Sequence, residues 1–210
     1  LVPLEETQLN LSVFDTNDNL ITPSNVVYAL ASGDGHFTVS PSGLVRALQT
    51  SGEGSIQVNA NGLSATVEVM VAPGSITQIA VTRSEQNEQI EIFETLTVSP
   101  GQIVELNARA LDAFENFVDV QLIWSTSVEG FGVNNAGMFT AGTNAGLYPN
   151  ALRVRHLGVD RQINVQINPG APVDIHIEPS TIIATPGSSQ QLQAYFTDSY
   201  GNISDLDVEL

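Results

Sequence analysis

Apolar and polar residues alternate with a period of two along much of this 210-residue chain. The clearest runs of alternating apolar positions are Leu106, Ala108 and Ala110; Val118, Val120, Leu122 and Trp124; and Ile163, Val165 and Ile167. Such alternation is typical of β-strands with one buried face and one face in water. Turn-forming segments such as Asn61-Gly62 separate the runs, and no amphipathic helix is evident. The pattern predicts an all-β protein.

The chain also repeats itself. Three segments alternate small or apolar residues with others and end on Asp-x-x-x-Asn: 9–19, 106–116 and 192–202. Pro73-Gly74 and Pro169-Gly170 form a second pair of matching positions. A segment of about ten additional residues near 84–94 explains why the second copy is longer than the others. The aspartates of the three segments are 97 and 86 residues apart. A period of this length, with about seven short strands per copy, predicts tandem immunoglobulin-like β-sandwich repeats.

The phase of the repeats predicts three domains. Residues 1–73 form an immunoglobulin-like repeat that lacks its first strand, and residues 74–169 form a complete repeat with the ten-residue insertion near 84–94. Residues 170–210 are the start of a third repeat. We therefore expect a longer parent chain, unless neighbouring molecules supply the missing strands.

Three sequence motifs resemble a known family. They are the turn Asp198-Ser-Tyr-Gly-Asn202, the strand Leu122-Ile-Trp124-Ser125, and the step Ala136-Gly137-Met138-Phe139. Together they resemble the bacterial immunoglobulin-like repeats of invasin- and intimin-type surface proteins. The glycine before the last asparagine of the turn is replaced by Asp18 in the first copy and by Glu115 in the second. The resemblance covers the whole chain and implies extracellular modules in adhesins, surface layers, filaments, secreted enzymes or phage structural proteins.

The charge of the chain excludes several partners. It carries 23 acidic residues against six basic residues, all arginine, and its formal net charge is -17. Binding to nucleic acid or to an anionic membrane surface needs clustered positive charge, so neither is expected as a partner. No apolar run approaches the ~18 residues of a membrane span, so we expect no direct membrane insertion of this segment. Cysteine is absent, which excludes disulfides and thiolate chemistry.

The Asp-x-x-x-Asn segments are weak candidates for calcium binding, because carboxylate and amide oxygens are calcium ligands. The candidate ligands are Asp15, Asn17, Asn19, Asp112, Asn116, Asp198 and Asn202. The first segment begins like a helix-loop-helix calcium loop, but Leu20 and Val26 replace the glycine and glutamate that such a loop requires. Capping of the turn through local backbone amides is the favoured interpretation. We therefore expect no cofactor, with calcium as the open alternative.

The sequence gives almost no support for catalysis. The three histidines, His36, His156 and His176, are scattered and lack the spacing of metal ligands. No nucleophile elbow or phosphate-binding loop is present. We expect the chain not to be an enzyme.

A concentration of positive charge suggests an interface. Arg153, Arg155 and Arg161 lie on the last predicted hairpin of the second repeat. The insertion carries the opposite charge, including Glu88 and Glu91. One hypothesis is that the arginine hairpin docks on an acidic surface of another repeat or subunit. The alternative is an ordinary solvated face that neutralises local acids.

These observations predict a non-enzymatic structural module of an extracellular repeat protein. It would act as a spacer and assembly unit of a surface layer, sheath, filament or adhesin stalk, with other repeats or copies of the same protein as partners. One alternative is a ligand-binding adhesin segment that recognises glycan or host protein, with Tyr148, Phe114 and Phe117 as aromatic candidates. Another is an accessory module of a secreted enzyme.

Overall fold

The computed structural model describes residues 1–86 and 88–205, and these residues form strands and turns without any helix. Consequently no helix of the described chain has the length and apolar character of a membrane span. The first eight strands are β1 (Glu6–Gln8), β2 (Val13–Phe14), β3 (Leu20–Ile21), β4 (Val27–Ser32), β5 (Phe37–Val39), β6 (Leu44–Ala47), β7 (Gly52–Ala60) and β8 (Leu63–Val71). The next ten are β9 (Gln78–Glu85), β10 (Glu88–Glu91), β11 (Thr95–Val98), β12 (Ile103–Leu111), β13 (Phe117–Val118), β14 (Ile123–Thr126), β15 (Gly132–Val133), β16 (Met138–Thr140), β17 (Gly146–His156) and β18 (Val159–Ile167). The last three are β19 (Pro172–Glu178), β20 (Gln193–Asp198) and β21 (Ile203–Asp205). The all-β prediction is confirmed.

The chain forms two compact units. The first unit contains Leu1–Gln78 together with Ala110–Val120, and the second contains Ile79–Arg109 together with the chain from Gln121 onward. The segment 110–120, which includes the second Asp-x-x-x-Asn sequence, thus packs with residues 1–78.

The first unit is built from short antiparallel sheets around a small core. Its sheets have the strand orders β1-β6-β5, β4-β7-β8 and β2-β3. Strands β7 and β8 form a regular hairpin from Gly52↔Val71 to Ala60↔Leu63, closed by the Asn61-Gly62 turn. Alternate residues of the strands point into the core, whose fully buried members include Phe37, Val45 and Ile56.

The second unit contains a sandwich of two sheets. One sheet has the order β10-β9-β12-β16-β15, and the other has the order β11-β18-β17-β14, with β11 parallel to β18. The core between the sheets includes Leu106, Trp124, Phe139, Val154 and Ile163, each at most 7% exposed. Two sheets that share one apolar core are the immunoglobulin-like arrangement that the period-two pattern predicts. A further antiparallel sheet, β19-β20-β21, follows the sandwich in sequence.

Two segments refine the sequence-based description. The apolar run from Val118 to Trp124 is not one strand: β13 pairs with β12, whereas β14 pairs with β17, so the chain leaves strand geometry between them. The insertion forms a β-hairpin, in which β10 pairs with β9 from Glu88↔Glu85 to Glu91↔Thr82. Ile92, just after this hairpin, is 5% exposed and joins the core of the second unit, whereas Phe93 is 69% exposed.

Candidate functional site

The three Asp-x-x-x-Asn segments adopt the same backbone turn, and we call 15–19, 112–116 and 198–202 the Asp–Asn turns. In each turn the aspartate N–H donates to the carbonyl oxygen of the asparagine, at an N···O distance of 3.0 Å in all three. The residue before the asparagine has a positive φ in all three turns: 60° at Asp18, 66° at Glu115 and 80° at Gly201. The three sequences therefore encode one local structure, as their common spacing predicts.

In the second turn the carboxylate of Asp112 accepts four N–H donors. Oδ1 accepts the backbone N–H of Phe114 at 2.8 Å and of Asn116 at 2.9 Å. Oδ2 accepts the backbone N–H of Gly74 at 2.8 Å and the side-chain amide of Asn116 at 2.9 Å. Asp112 is only 1% exposed, so these donors replace the water that an ionised carboxylate would otherwise bind.

The side chain of Asn116 extends this network to the loop between β6 and β7. Its Nδ2 donates to the carbonyl oxygen of Gln49 at 2.7 Å, and its Oδ1 accepts the backbone N–H of Ser51 at 2.8 Å. These residues and Gly74 all belong to the first unit. The turn thus connects three segments that are far apart in sequence: the loop between β6 and β7, the Pro73-Gly74 step, and the end of strand β12.

The third turn reproduces this arrangement in the second unit. Oδ2 of Asp198 accepts the backbone N–H of Gly170 at 2.7 Å and the side-chain amide of Asn202 at 2.8 Å. Nδ2 of Asn202 donates to the carbonyl oxygen of Thr143 at 2.8 Å, and its Oδ1 accepts the backbone N–H of Ala145 at 2.7 Å. The same set of donors and acceptors therefore occurs twice, each time at a predicted boundary between repeats.

The first turn has the same internal bonds. Oδ1 of Asp15 accepts the backbone N–H of Asn17 at 2.8 Å and of Asn19 at 3.0 Å. The side-chain amide of Asn19 donates to both oxygens of Asp15, at 3.2 and 3.1 Å. Asn19 is exposed. Among the residues that the structure describes, neither side chain reaches a linker or a loop of another segment.

The two glycines that donate to the aspartates are closely fitted. A Cβ atom on Gly74 would lie 3.3 Å from Oδ2 of Asp112, and one on Gly170 would lie 3.2 Å from Oδ2 of Asp198. The sequence marks both Pro-Gly steps as matching positions of the repeats but does not predict their contact with the turns. The clue was present, because each Pro-Gly step precedes an Asp-x-x-x-Asn segment, but the insertion makes the two separations unequal.

Hydrogen bonding determines the protonation of the turn carboxylates. Burial alone would raise the pKa of Asp112, but the donors from Asn116, Gly74 and Phe114 stabilise the anion and lower the pKa to about 2. Burial likewise opposes ionisation of Asp198, and the donors from Asn202, Gly170 and Tyr200 lower its pKa to about 2. The pKa of Asp15 is also lowered, first of all by the Asn19 side chain. The two networks therefore require ionised aspartates.

These pKa values predict how stability depends on pH. The folded pKa of Asp112 and Asp198 is about 2, which is below the ordinary value of 3.8. The ionised carboxylates therefore contribute their full stabilisation at pH values above 3.8. This stabilisation is lost as the pH falls from 3.8 through 2. Urea unfolding measured between pH 5 and pH 2 should show this loss. The variant Asp112→Ala should have a shallower pH dependence than the wild type, and identical slopes would contradict the assignment.

The positive φ at Glu115 predicts a stabilising substitution. Glycine occupies the matching position 201 and adopts this conformation without the steric cost that a side chain brings. Glu115→Gly should therefore raise the free energy of unfolding by about 0.5–1 kcal/mol in urea denaturation. The neighbouring substitution Ala113→Gly is the control, because Ala113 has no positive φ and should lose stability. A loss of stability in Glu115→Gly would contradict this account of the turn.

The carboxylates of the candidate calcium ligands Asp15, Asp112 and Asp198 accept N–H donors within the turns just described. Within residues 1–86 and 88–205, no group of three or more acidic or histidine side chains is arranged to hold a metal ion. Calcium binding by Asp15, Asn17, Asn19 and the equivalent residues of the other turns remains a prediction.

The arginine hairpin consists of strands β17 and β18. Leu152 and Val154 are fully buried and Arg153 and Arg155 are exposed, as the alternation predicts. Nε of Arg153 lies 3.1 Å from Oδ2 of Asp160 in the same hairpin. No ion pair of Arg155 occurs in the described part of the chain.

Arg161 connects the hairpin to the insertion. Its guanidinium donates to the backbone carbonyl oxygens of Ile92 and Phe93, and not to a carboxylate. Glu88 and Glu91 are exposed on β10. The structure therefore brings Arg161 next to the insertion through backbone contacts, whereas the predicted docking of the hairpin on another repeat or subunit remains a proposal.

The aromatic candidates for ligand binding differ in their surroundings. Tyr148 is half-buried, its ring centroid lies 4.9 Å from that of Phe131, and its hydroxyl donates to the Asn144 carbonyl oxygen. Tyr148 therefore belongs to the packing of the sandwich. Phe114 and Phe117 are 36% and 53% exposed.

Comparisons with known proteins give a likeness in fold. No protein-family model matches the sequence, and no curated protein matches it. Among solved structures, InvD of Yersinia pseudotuberculosis is similar at 22% identity with a TM-score of 0.48, over 92% of this chain and 65% of that chain. Domains 4–9 of the surface layer protein SbsC match at 15% identity with a TM-score of 0.35, over 94% of this chain and 32% of that one.

The extracellular domain of protocadherin GammaB4 matches at 19% identity with a TM-score of 0.38, over 94% of this chain and 36% of that one. This chain thus spans about a third of the SbsC and protocadherin structures and 65% of the InvD structure. At these identities and TM-scores the likeness supports no statement about the function of this chain. Its own sheets and cores define the fold, a tandem of immunoglobulin-like β-sandwich repeats.

Proposed function

We propose that this chain is a non-enzymatic structural segment in which tandem immunoglobulin-like repeats are joined at fixed junctions. The observation that carries the proposal is the recurrence of one network at two junctions: an ionised aspartate binds the linker glycine, and an asparagine binds a loop of the preceding repeat. A buried charged network of this kind stabilises one arrangement of the segments that it joins. Spacing and assembly, not chemistry on a substrate, are the roles that such a junction serves.

The place of action is proposed to be outside the cell, in a surface layer, sheath, filament or adhesin stalk. The motifs at Asp198–Asn202 and Ala136–Phe139 support membership of the bacterial immunoglobulin-like repeats of the invasin and intimin type. A net charge of -17 keeps the surface of the chain well solvated, as an extracellular position requires. The proposed partners are further repeats of the same protein.

The exposed face of the arginine hairpin is proposed as the contact between copies. Arg155 is the strongest candidate, because Arg153 already has Asp160 as a neighbour. Its proposed counterpart is acidic surface such as Glu88 and Glu91 on β10 of another copy, since opposite charges steer and orient association.

Association of the purified chain tests this proposal. We expect concentrated protein to form larger species in sedimentation velocity and ordered assemblies in electron microscopy, and we expect Arg155→Glu to weaken both. Arg46→Glu is a matched control, because Arg46 is also an exposed arginine on a strand, 3.6 Å from Glu6. Strictly monomeric wild-type protein at all concentrations would contradict self-assembly. Association that Arg155→Glu leaves unchanged would remove Arg155 from the interface.

A further inference from the structure

The Asp15–Asn19 turn has the structure of the other two Asp–Asn turns but not their partners. In turns 112–116 and 198–202 the asparagine binds a carbonyl oxygen and an N–H group two residues apart, and the aspartate binds a linker glycine. In the described chain the Asn19 amide donates only to Asp15, and no donor to its Oδ1 is present. The same side chains are thus presented to solvent.

The apolar residue before the aspartate shows the same difference. Phe14 precedes Asp15 and is 54% exposed, whereas Leu111, at the matching position before Asp112, is half-buried. The carbonyl oxygen of Leu111 accepts the N–H of Thr77, which follows the linker. The linker segment that meets the second turn therefore has no counterpart among the described residues around the first turn.

We propose that the Asp15–Asn19 turn is a docking site for the end of another immunoglobulin-like repeat of the same type. The partner must present a loop whose carbonyl oxygen and N–H group are two residues apart, as Thr143 and Ala145 are, and a linker glycine like Gly170. Asn19 binds the loop and Asp15 binds the glycine. The backbone of the turn is already in the required conformation, so docking costs little ordering of this segment.

An in-phase fusion of the chain to itself tests the proposal. Residues 1–183 followed directly by residues 1–210 place the downstream Asp15 28 residues after the upstream Gly170, the separation that Asp198 has from Gly170 in the native chain. The upstream copy lacks Asn202 in this fusion. Asn19 of the downstream copy is then the only asparagine of an Asp–Asn turn that is available to bind Ala145 of the upstream copy. The downstream Ala145 keeps Asn202 and serves as the internal control.

Hydrogen exchange of the two Ala145 amides, followed by NMR, is the readout. We expect both amides to be protected in the fusion. Asn19→Ala in the downstream copy should accelerate exchange of the upstream Ala145 amide at least tenfold and leave the downstream amide unchanged. Asn202→Ala should accelerate exchange of the downstream Ala145 amide and leave the upstream amide unchanged. An unprotected upstream Ala145, or one that Asn19→Ala does not affect, would overturn the proposal.

A second variant tests the turn within the native chain. Ser199→Thr, Tyr200→Asn and Gly201→Asp together give the third turn the sequence of the first. If residues 15–19 form a competent docking turn, Ala145 should keep its protection within about threefold in this graft, and Asn202→Ala should then abolish it. Loss of protection in the graft itself would count against the proposal even if the fusion failed to fold.

This inference builds on the proposed function, but its test is independent of it. Exchange is measured in dilute, monomeric protein, so a failure to assemble would leave the docking result intact. Conversely, self-assembly through the arginine hairpin would not protect the upstream Ala145.

Discussion

Replacing Asp112 by alanine is expected to lower the free energy of unfolding by about 3–5 kcal/mol. The substitution removes the acceptor of four N–H groups at a position that is 1% exposed, so the buried amide of Asn116 and the half-buried N–H of Gly74 lose their acceptor. Hydrogen bonds to a charged group are worth more than neutral ones, and an unsatisfied buried donor carries its full desolvation cost. The junction between the first repeat, the linker and strand β12 should therefore open.

Urea unfolding followed by circular dichroism measures the global loss, and amide exchange at Ser51 and Gly74 measures the local one. Asp15→Ala is the matched control, because Asp15 has the same turn geometry but lacks donors from other segments in the described chain. Asp15→Ala should lower the free energy of unfolding much less than Asp112→Ala does. Equal losses in the two variants would show that the contacts of Asp112 with the linker and loop contribute nothing.

Replacing Gly137 by alanine is expected to cost about 4 kcal/mol or more, or to prevent folding of the second unit. Gly137 has a φ of 82°, and a Cβ atom on it would lie 1.9 Å from the carbonyl oxygen of Leu106. The N–H of Leu106 in turn donates to the Gly137 carbonyl oxygen at 2.9 Å. Because this hydrogen bond fixes the separation of the two backbone segments, neither segment can move away from the added Cβ atom. The side chain of Leu106 is buried in the core beside this contact.

Gly130→Ala isolates the steric part of this effect. Gly130 has a φ of 81°, nearly the same as Gly137, but no atom lies within 4 Å of its Cβ position. Gly130→Ala should lower the free energy of unfolding only by the cost of a side chain at a positive φ, about 1 kcal/mol. The fluorescence of Trp124, the single tryptophan, reports unfolding of the second unit. Similar losses in the two variants would contradict the proposed clash.

Strand alternation made much of the fold predictable. Leu106, Trp124 and Ile163 are buried where the period-two pattern places them, because the two faces of a strand differ so strongly in burial. The Ala-Gly step before Phe139 is also explained, since only glycine fits at position 137. The run from Val118 to Trp124 was misleading, because apolar alternation does not reveal that its two ends pair with different strands.

The partners of the Asp–Asn turns could not be read from the sequence. The spacing of Asp112 and Asn116 predicts a capped turn, and that local structure is present. The contact of Asn116 with Gln49 joins residues 67 positions apart and depends on backbone groups, which every residue has. Side-chain identity at position 49 therefore carries no signal for this contact, and only the assembled structure reveals it.

If the Asp–Asn turns hold the segments that they join in one fixed arrangement, the distance between residues 1–78 and the segment 110–120 should have a single value. The chain has no cysteine, so spin labels can be attached to cysteines introduced at two exposed positions of the first unit, Thr66 in β8 and Asp119 just after β13. Double electron–electron resonance then gives the distribution of distances between the labels. We predict one narrow distribution in the labelled protein that keeps Asn116, and a distribution at least twice as wide in the labelled Asn116→Ala variant. Equally broad distributions in both proteins would contradict a fixed arrangement of the segments that the turn joins.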